Sequence, residues 1–198
     1  TEQLKIKINE LIEAFETEAV EFKEAKSSYN FNDIGKYFSA LSNEANLRSL
    51  KEAWLIFGVT NKKKICGSSY RKDKSGGSLQ SLKKEVAAST NDRLTFLEIY
   101  EVDLPEGRVI MFQIPPANPG IPTTWNGAAY AREGESTCPL PVNKMDIIRN
   151  QIGLDWSREV VEGATVEDLD ADAVKYARQL FAKRQREESK AAEILEKL

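Results

Sequence analysis

Two stretches of the sequence decide the fold: Glu16-Thr17-Glu18-Ala19-Val20-Glu21-Phe22-Lys23 and, far downstream, Tyr130-Ala131-Arg132-Glu133-Gly134-Glu135-Ser136-Thr137. In the first, apolar and charged residues alternate, which predicts a half-buried strand over 19–25. The glutamates Glu16 and Glu21 stand five residues apart at the entry to that strand. In the second, a late strand ends in a loop that combines Arg132 with glycine and hydroxyl residues.

The sequence between these stretches mixes helical and strand patterns. Residues 53–59 form a continuous apolar run, typical of a central strand buried on both faces. Residues 94–102 and 108–114 predict a hairpin, and 125–132 a further short strand. Helical periodicity predicts helices near the start of the chain and around Ile34 and Leu82. We therefore predict an α+β domain with a mixed sheet and packed helices, plus a C-terminal helical extension.

Composition excludes several classes of chemistry. The chain has 198 residues, 41% of them hydrophobic and 30% charged, which fits a soluble globular protein without a transmembrane run. It has no histidine, so His-based triads, general bases and metal ligands are excluded. Two cysteines, Cys66 and Cys138, form neither a disulfide framework nor a zinc pattern and indicate a reducing cytoplasm. We expect Cys66 to be a small buried residue within a strand.

Positive charge is concentrated in one segment of an acidic chain. The net charge is −3, yet residues 60–84 contain eight Lys or Arg residues against one Asp. A predicted hairpin at 61–64 and a Gly-rich loop carry much of this charge and could contact a phosphate backbone. An ordinary solvated surface remains the alternative. The candidate phosphate-binding residues here are Lys62, Lys63, Lys64, Arg71, Lys72 and Lys74.

The late loop offers a second set of phosphate-binding candidates. Arg132, Ser136 and Thr137 could present a fork of donors to a phosphate. The alternative is that Arg132 pairs with Glu133 or Glu135 at the surface. Trp125 and Tyr130 could stack on bases, although we expect them to anchor the core or a loop.

Taken together, these motifs resemble the Schlafen-type AlbA-like domain. The Glu-x4-Glu-Phe-Lys pattern matches at Glu16, Glu21, Phe22 and Lys23, and Ala40-Leu41-Ser42-Asn43 is a partial match to a helical motif. The strand that ends at Phe57-Gly58-Val59 and the late Tyr-x-Arg-x-Gly pattern match as well. The resemblance extends over about 15–152 and is closest to a bacterial branch described as transcriptional regulators.

The resemblance implies a nucleic-acid-binding module, DNA-directed, that acts through phosphate-backbone contacts. In nuclease members, two such glutamates and an Asp after the Gly-Val strand bind a divalent ion. This chain has Thr60 and Asn61 at the third position, so we expect no catalysis, no bound cofactor and no metal site. A Mg²⁺- or Mn²⁺-dependent nuclease that uses Glu16 and Glu21 is one alternative. A protein-interaction or dimerisation domain is the other.

The end of the sequence predicts a helical appendage to the core. We divide the chain into a domain over 1–154 and an extension over 155–198, and the resemblance implies a further downstream region in the full-length protein. Helical pattern extends over 164–198, opened by Thr165 with Asp168 three residues later, as in a capping box. Polar residues interrupt its apolar seam, although Ile194, Leu195 and Leu198 could support a homodimer. We expect no membrane partner.

Overall fold

The computed structural model describes residues 2–13, 19–73, 77–134, 136–151, 163, 165 and 168–195, with side chains described as far as 185. The chain divides into two compact units, Thr1–Gly153 and Leu154–Leu198. The helices are α1 (Glu2–Glu13), α2 (Phe31–Leu47), α3 (Leu79–Ser89), α4 (Val142–Arg149) and α5 (Ala171–Leu195). The strands are β1 (Val20–Lys23), β2 (Ala53–Phe57), β3 (Glu98–Leu104), β4 (Gly107–Ile114), β5 (Thr124–Trp125), β6 (Ala128–Glu133) and β7 (Ser136–Pro139).

Four strands form the first sheet, in the order β1-β2-β4-β3. β1 lies parallel to β2, and the other neighbours are antiparallel. Helix α2 makes the crossover between the two parallel strands, as a parallel connection requires. The predicted mixed sheet, with these four strands in one layer, is confirmed.

Strand β2 is the centre of the core because both of its faces are covered. Leu55 and Phe57 pack in the cluster that contains Phe38 of α2, while Trp54 and Ile56 pack in the cluster that contains Leu11 of α1. All five residues of β2 are buried. The structure thus confirms that the apolar run is a central strand.

A second, smaller sheet has the order β5-β6-β7. We predicted one strand over 125–132, which is wrong in detail: Asn126 and Gly127, at φ values of 48° and 83°, turn the chain between β5 and β6. An Asn-Gly pair favours such a two-residue hairpin turn, so the signal was present in the sequence. Strand β7 was not predicted.

Helix α2 connects the two sheets through an unusual set of buried polar residues. Ser39 accepts a hydrogen bond from the backbone N–H of Tyr130 at 3.0 Å, and the Asn43 side chain donates to the Tyr130 carbonyl at 2.8 Å. Both α2 side chains are fully buried. These bonds satisfy backbone groups of β6 and dock the second sheet on the helix.

The C-terminal unit contains α5, which begins later than predicted. The side chain of Asp170 accepts hydrogen bonds from the backbone N–H groups of Asp172 and Ala173, at 2.9 and 3.0 Å, and so caps the helix. The backbone N–H of Thr165 does donate a hydrogen bond to the carboxylate of Asp168, but both residues precede the first residue of α5. None of the described helices is long and apolar enough to cross a membrane.

Replacing Gly35 by Ala should destabilise the domain. A Cβ atom at this position of α2 would lie 1.9 Å from the indole of Trp125, which is itself held by a 2.6 Å hydrogen bond to Asn32. We expect a loss of about 2–3 kcal/mol in the free energy of unfolding, measured by urea denaturation. Gly134→Ala is the control, because a Cβ there meets nothing within 4 Å and only its φ of 58° is strained. A smaller loss for Gly35→Ala than for the control would contradict this packing.

Candidate nucleic-acid interface

The basic hairpin follows directly from the central strand. Val59 and Ile65 form an antiparallel bridge, and between them the backbone N–H of Thr60 donates to the Lys64 carbonyl at 2.9 Å. Lys62 and Lys64 are exposed. Because β1 and β2 are parallel, this hairpin lies at the same edge of the sheet as the end of β1.

A small cavity joins the hairpin to the segment that follows β1. Its volume is about 470 Å³, and Glu24, Thr60, Asn61, Lys62 and Lys64 line it. Glu24 comes one residue after the end of β1. The cavity therefore places two exposed lysines next to the carboxyl end of β1.

A buried ion pair lies two to three residues back along the same strand. Glu21 and Arg132 are only 7% and 5% exposed, and the carboxylate Oε2 of Glu21 accepts from Nη2 of Arg132. The other carboxylate oxygen contacts Nζ of Lys23 at 2.6 Å. Both oxygens of Glu21 are thus engaged by cations. The pair joins β1 of the first sheet to β6 of the second.

Tyr37 of α2 packs against both cations of this cluster. The Lys23 ammonium lies 5.0 Å and the Arg132 guanidinium 5.5 Å from the centre of its ring, within the range of cation–π attraction. Burial by itself lowers the pKa of Lys23, but hydrogen bonds to Glu21 and Tyr37 outweigh it, and the pKa is raised. Lys23 therefore stays charged at neutral pH.

Several donors in this region have no partner in the structure. Nε and Nη1 of Arg132 and the hydroxyl of Thr137 are buried and make no hydrogen bond. Arg132 and Thr137 stand directly opposite each other in the ladder between β6 and β7. Buried polar groups are nearly always satisfied in native proteins, so these atoms indicate a site for an external acceptor.

A second cavity, of about 420 Å³, borders Thr137. It is lined by Tyr29, Asp33, Lys36, Tyr37, Ser136 and Thr137. Tyr29 packs its ring against Phe57 at a centroid distance of 4.9 Å, which fixes one wall on the core. Aromatic, hydroxyl and basic groups thus converge on one concave surface.

The position of Arg132 depends on a second buried carboxylate. Glu44 of α2 is 1% exposed, and one of its oxygens accepts from the backbone N–H of Arg132 at 3.3 Å and from Nζ of Lys144 at 2.5 Å. Lys144 lies on α4 and also approaches the Arg132 carbonyl at 3.4 Å. These contacts hold the backbone of Arg132 between α2 and α4.

The predicted binding residues differ in where they lie in the structure and in how exposed they are. Lys62 and Lys64 are exposed at the hairpin, Lys63 is half-buried there, and Ser136 and Thr137 line the second cavity. Our alternative pairing of Arg132 with its neighbours in the loop is not what the structure shows, because Arg132 pairs with Glu21. Lys74 and Glu16 lie outside the described residues.

Arg71 makes a structural contact within the domain. Its guanidinium forms two hydrogen bonds with the carboxylate of Glu85 on α3, at 2.7 and 3.0 Å, and its side chain is 7% exposed. Lys72, in contrast, is exposed. Of the predicted basic segment, the hairpin lysines and Lys72 are therefore better placed than Arg71 to meet a ligand.

Cys66 is exposed, which contradicts our expectation of a buried residue. It directly follows Ile65, which is paired with Val59 by a single isolated bridge and not by a continuous ladder. Trp125, in contrast, is 2% exposed and belongs to the core, as we expected.

The described residues do not fit a divalent metal site. Glu21 has both carboxylate oxygens bound to Lys23 and Arg132, and Thr60 and Asn61 offer only neutral oxygens. Within the described part of the chain, no group of three His, Cys, Asp or Glu side chains could hold a metal ion. A hard cation such as Mg²⁺ prefers carboxylates that are free to coordinate it.

Sequence reasoning missed Tyr29, Lys36, Tyr37, Glu44 and Lys144. The signal for Glu44 was present: α2 places polar residues on what should be an apolar face, a pattern that indicates a buried polar network. The residues concerned are Ser39, Ser42, Asn43, Glu44 and Asn46. Tyr37 was interpreted only as part of a helix pattern, since nothing in the sequence places its ring beside Arg132.

The fold and the site define an α+β domain whose central helix supports a charged cluster between two sheets. Residues 16–141 match the family model described as Schlafen, AlbA_2. The match covers more than half of the chain, and the protein belongs to this family. No curated protein matches the sequence.

Two solved structures are similar to this chain at low sequence identity. The DIP2311 protein from Corynebacterium diphtheriae is 17% identical with a TM-score of 0.51, and the match covers 90% of this chain and 34% of that protein. The N-terminal domain of an ATP-dependent DNA helicase RecG-related protein from Nitrosomonas europaea is 18% identical with a TM-score of 0.39, over 65% of this chain and 87% of that domain. The chain thus spans about a third of the length of the DIP2311 protein.

Replacing Glu85 by Gln tests whether Arg71 is structural. The hydrogen bonds from Arg71 lower the pKa of Glu85 below its ordinary value of 4.5, so the pair stabilises the fold above that pH. Glu85→Gln should cost about 1 kcal/mol at pH 7, a modest amount because Glu85 is partly solvated. The difference from wild type should shrink as the pH falls through the lowered pKa of Glu85. Denaturation midpoints between pH 7 and pH 3 or so measure this; an undiminished difference in acid would contradict it.

Proposed function

We propose that this chain is a nucleic-acid-binding module, directed to DNA, that contacts phosphates without hydrolysing them. One observation carries this proposal: the exposed lysines of the hairpin and the cluster around Arg132 lie at the same edge of the first sheet. Membership of the Schlafen, AlbA_2 family supports it. The resemblance to bacterial transcriptional regulators supports DNA over RNA and a cytoplasmic setting, in which Cys66 and Cys138 are both free thiols.

The two basic groups are close enough to act on one ligand. Glu21, which binds Arg132, and Glu24, which lines the hairpin cavity, are three residues apart in sequence, and Glu24 directly follows the end of β1. Extended chain advances about 3.3 Å per residue, so the backbone positions of Glu21 and Glu24 are at most roughly 10 Å apart. A strand of nucleic acid that crosses this edge would meet both.

The chemistry of the edge favours sequence-independent binding. Lysine ammonium groups neutralise phosphates and release counterions, a mechanism that carries no base information. Specific recognition would need side chains presented to base edges from a helix or ribbon in a groove. We therefore expect weak binding with steep salt dependence.

A metal-dependent nuclease is the second candidate, and the state of Glu21 argues against it. A carboxylate bound on both oxygens by Lys23 and Arg132 must give up two cations before it can coordinate a metal. Thr60 and Asn61 supply no replacement charge. Glu21 serves better as the anchor of Arg132.

Removing the hairpin charges should weaken binding to every nucleic-acid sequence alike. Lys62→Gln combined with Lys64→Gln should lower the log–log salt slope by about two, since each phosphate contact contributes about one. Fluorescence anisotropy over a salt series measures this. Lys51→Gln is the matched control, because Lys51 is exposed before β2, at the opposite end of the strand from the hairpin. The control removes one charge and the hairpin variant two, so an equal effect per charge removed would show general charge attraction and no defined interface.

The domain should show little cleavage of DNA or RNA with Mg²⁺ or Mn²⁺. The reason is that the described residues offer no free cluster of carboxylates. Gel assays with labelled strands test this, and Asn61→Asp supplies the missing third carboxylate. Cleavage by the wild type that disappears in Glu21→Gln would establish the nuclease instead.

A further inference from the structure

We propose that the cavity between α2 and β7 holds one unpaired nucleotide of a single strand, with its phosphate at Arg132 and Thr137 and its base against Tyr29 and Tyr37. This inference rests on the proposed function and names the form of nucleic acid that the interface takes. It differs from the hairpin contacts, which any polyanion could make.

The unsatisfied donors are the first observation behind this assignment. Arg132 is 5% exposed, yet two of its nitrogens lack a partner, and the hydroxyl of Thr137 opposite it is also unpaired. Burying donors without acceptors raises the free energy of the folded protein. Arg132 contacts Tyr37, and both Tyr37 and Thr137 line the cavity. A phosphate seated there would supply acceptors to the guanidinium and the hydroxyl.

The charge of the cluster matches one phosphodiester. Lys36 and Asp33 line the cavity, and the cluster at Tyr37 adds the cations Lys23 and Arg132 and the carboxylate Glu21. Asp33 and Lys36 also contact each other at 3.7 Å. One net positive charge remains for the single negative charge of a phosphodiester.

The cavity size and its aromatic residues favour an unpaired nucleotide. A volume of about 420 Å³ is in the range of pockets that enclose a small ligand. A base paired inside a duplex cannot enter such a pocket, whereas an unstacked base can pack on aromatic side chains. Burial raises the pKa of Tyr29, so its hydroxyl stays protonated and can donate to a base or sugar.

The first test compares a single-stranded oligonucleotide with a hairpin duplex of the same composition at one salt concentration. Stacking of one base contributes about 1–3 kcal/mol, so the single strand should bind about tenfold tighter. Tyr29→Leu should abolish this preference and Tyr29→Phe should retain it, because phenylalanine keeps the ring. Equal or tighter binding of the duplex by the wild type would overturn the inference while leaving the proposed function intact.

Thr137→Val separates binding from folding. Valine keeps the shape and removes an unpaired hydroxyl, so the denaturation midpoint should not fall. Affinity for the single strand should drop about tenfold to a hundredfold, the loss expected for one hydrogen bond to a charged acceptor. Unchanged affinity would contradict the phosphate position.

A mononucleotide tests the cavity when no oligonucleotide binds. Titration with thymidine monophosphate should shift the amide resonances of Tyr37 and Thr137, and thymidine should shift them much less. Such shifts without oligonucleotide binding would support the pocket and reject the proposed function. Absence of shifts at these residues with millimolar nucleotide would overturn the pocket.

Discussion

The buried contact between Glu21 and Arg132 is the interaction on which the site depends. It joins β1 of the first sheet to β6 of the second, next to the helix that connects them. Removing one partner of a buried pair costs about 3–5 kcal/mol, because the other charge is left uncompensated. A well-packed apolar pair could replace such contacts at no loss of stability, so stability alone does not account for these residues. An apolar pair, however, could not supply a guanidinium group with unpaired hydrogen-bond donors.

The same carboxylate therefore has a different role from the one its motif indicates. In the Glu-x4-Glu-Phe-Lys pattern, Glu21 occupies the position of a metal ligand in nuclease members. In this chain Lys23 and Arg132 neutralise it, while Thr60 and Asn61 add no negative charge at the edge where the hairpin lysines stand. On our proposal, the local charge balance at this edge favours a phosphate over a cation, and this difference in charge would separate the two functions on a shared fold.

The sequence predicted the elements of the fold whose patterns are local. The apolar run of β2 and the hairpin of β3 and β4 were both visible in the sequence. The second sheet was only partly predicted, since its strands are short and are set by hydrogen bonds from α2. The start of α5 was misplaced because Asp168 and Asp170 both offer capping carboxylates, and only the latter caps the helix.

The candidate site was less predictable because it depends on contacts between distant residues. Arg132 was identified from its loop motif, but its partner Glu21 lies more than a hundred residues away in sequence. Arg71 shows the same dependence on distant contacts: it belongs to a basic segment of the sequence, and in the structure it is bound to Glu85. The sequence gives the number and spacing of charged side chains, whereas the structure shows which of them already form ion pairs.

A double-mutant cycle on Glu21 and Arg132 tests the central claim most directly. Urea denaturation of Glu21→Gln, Arg132→Met and the double variant gives the coupling free energy between the two side chains. Contacting buried partners couple by 0.5–3 kcal/mol or so, and we predict a value of about 2 kcal/mol or more, with the double variant more stable than the sum of the single losses implies. Additive losses, with a coupling near zero, would show that the pair does not hold the two sheets together and would contradict the account.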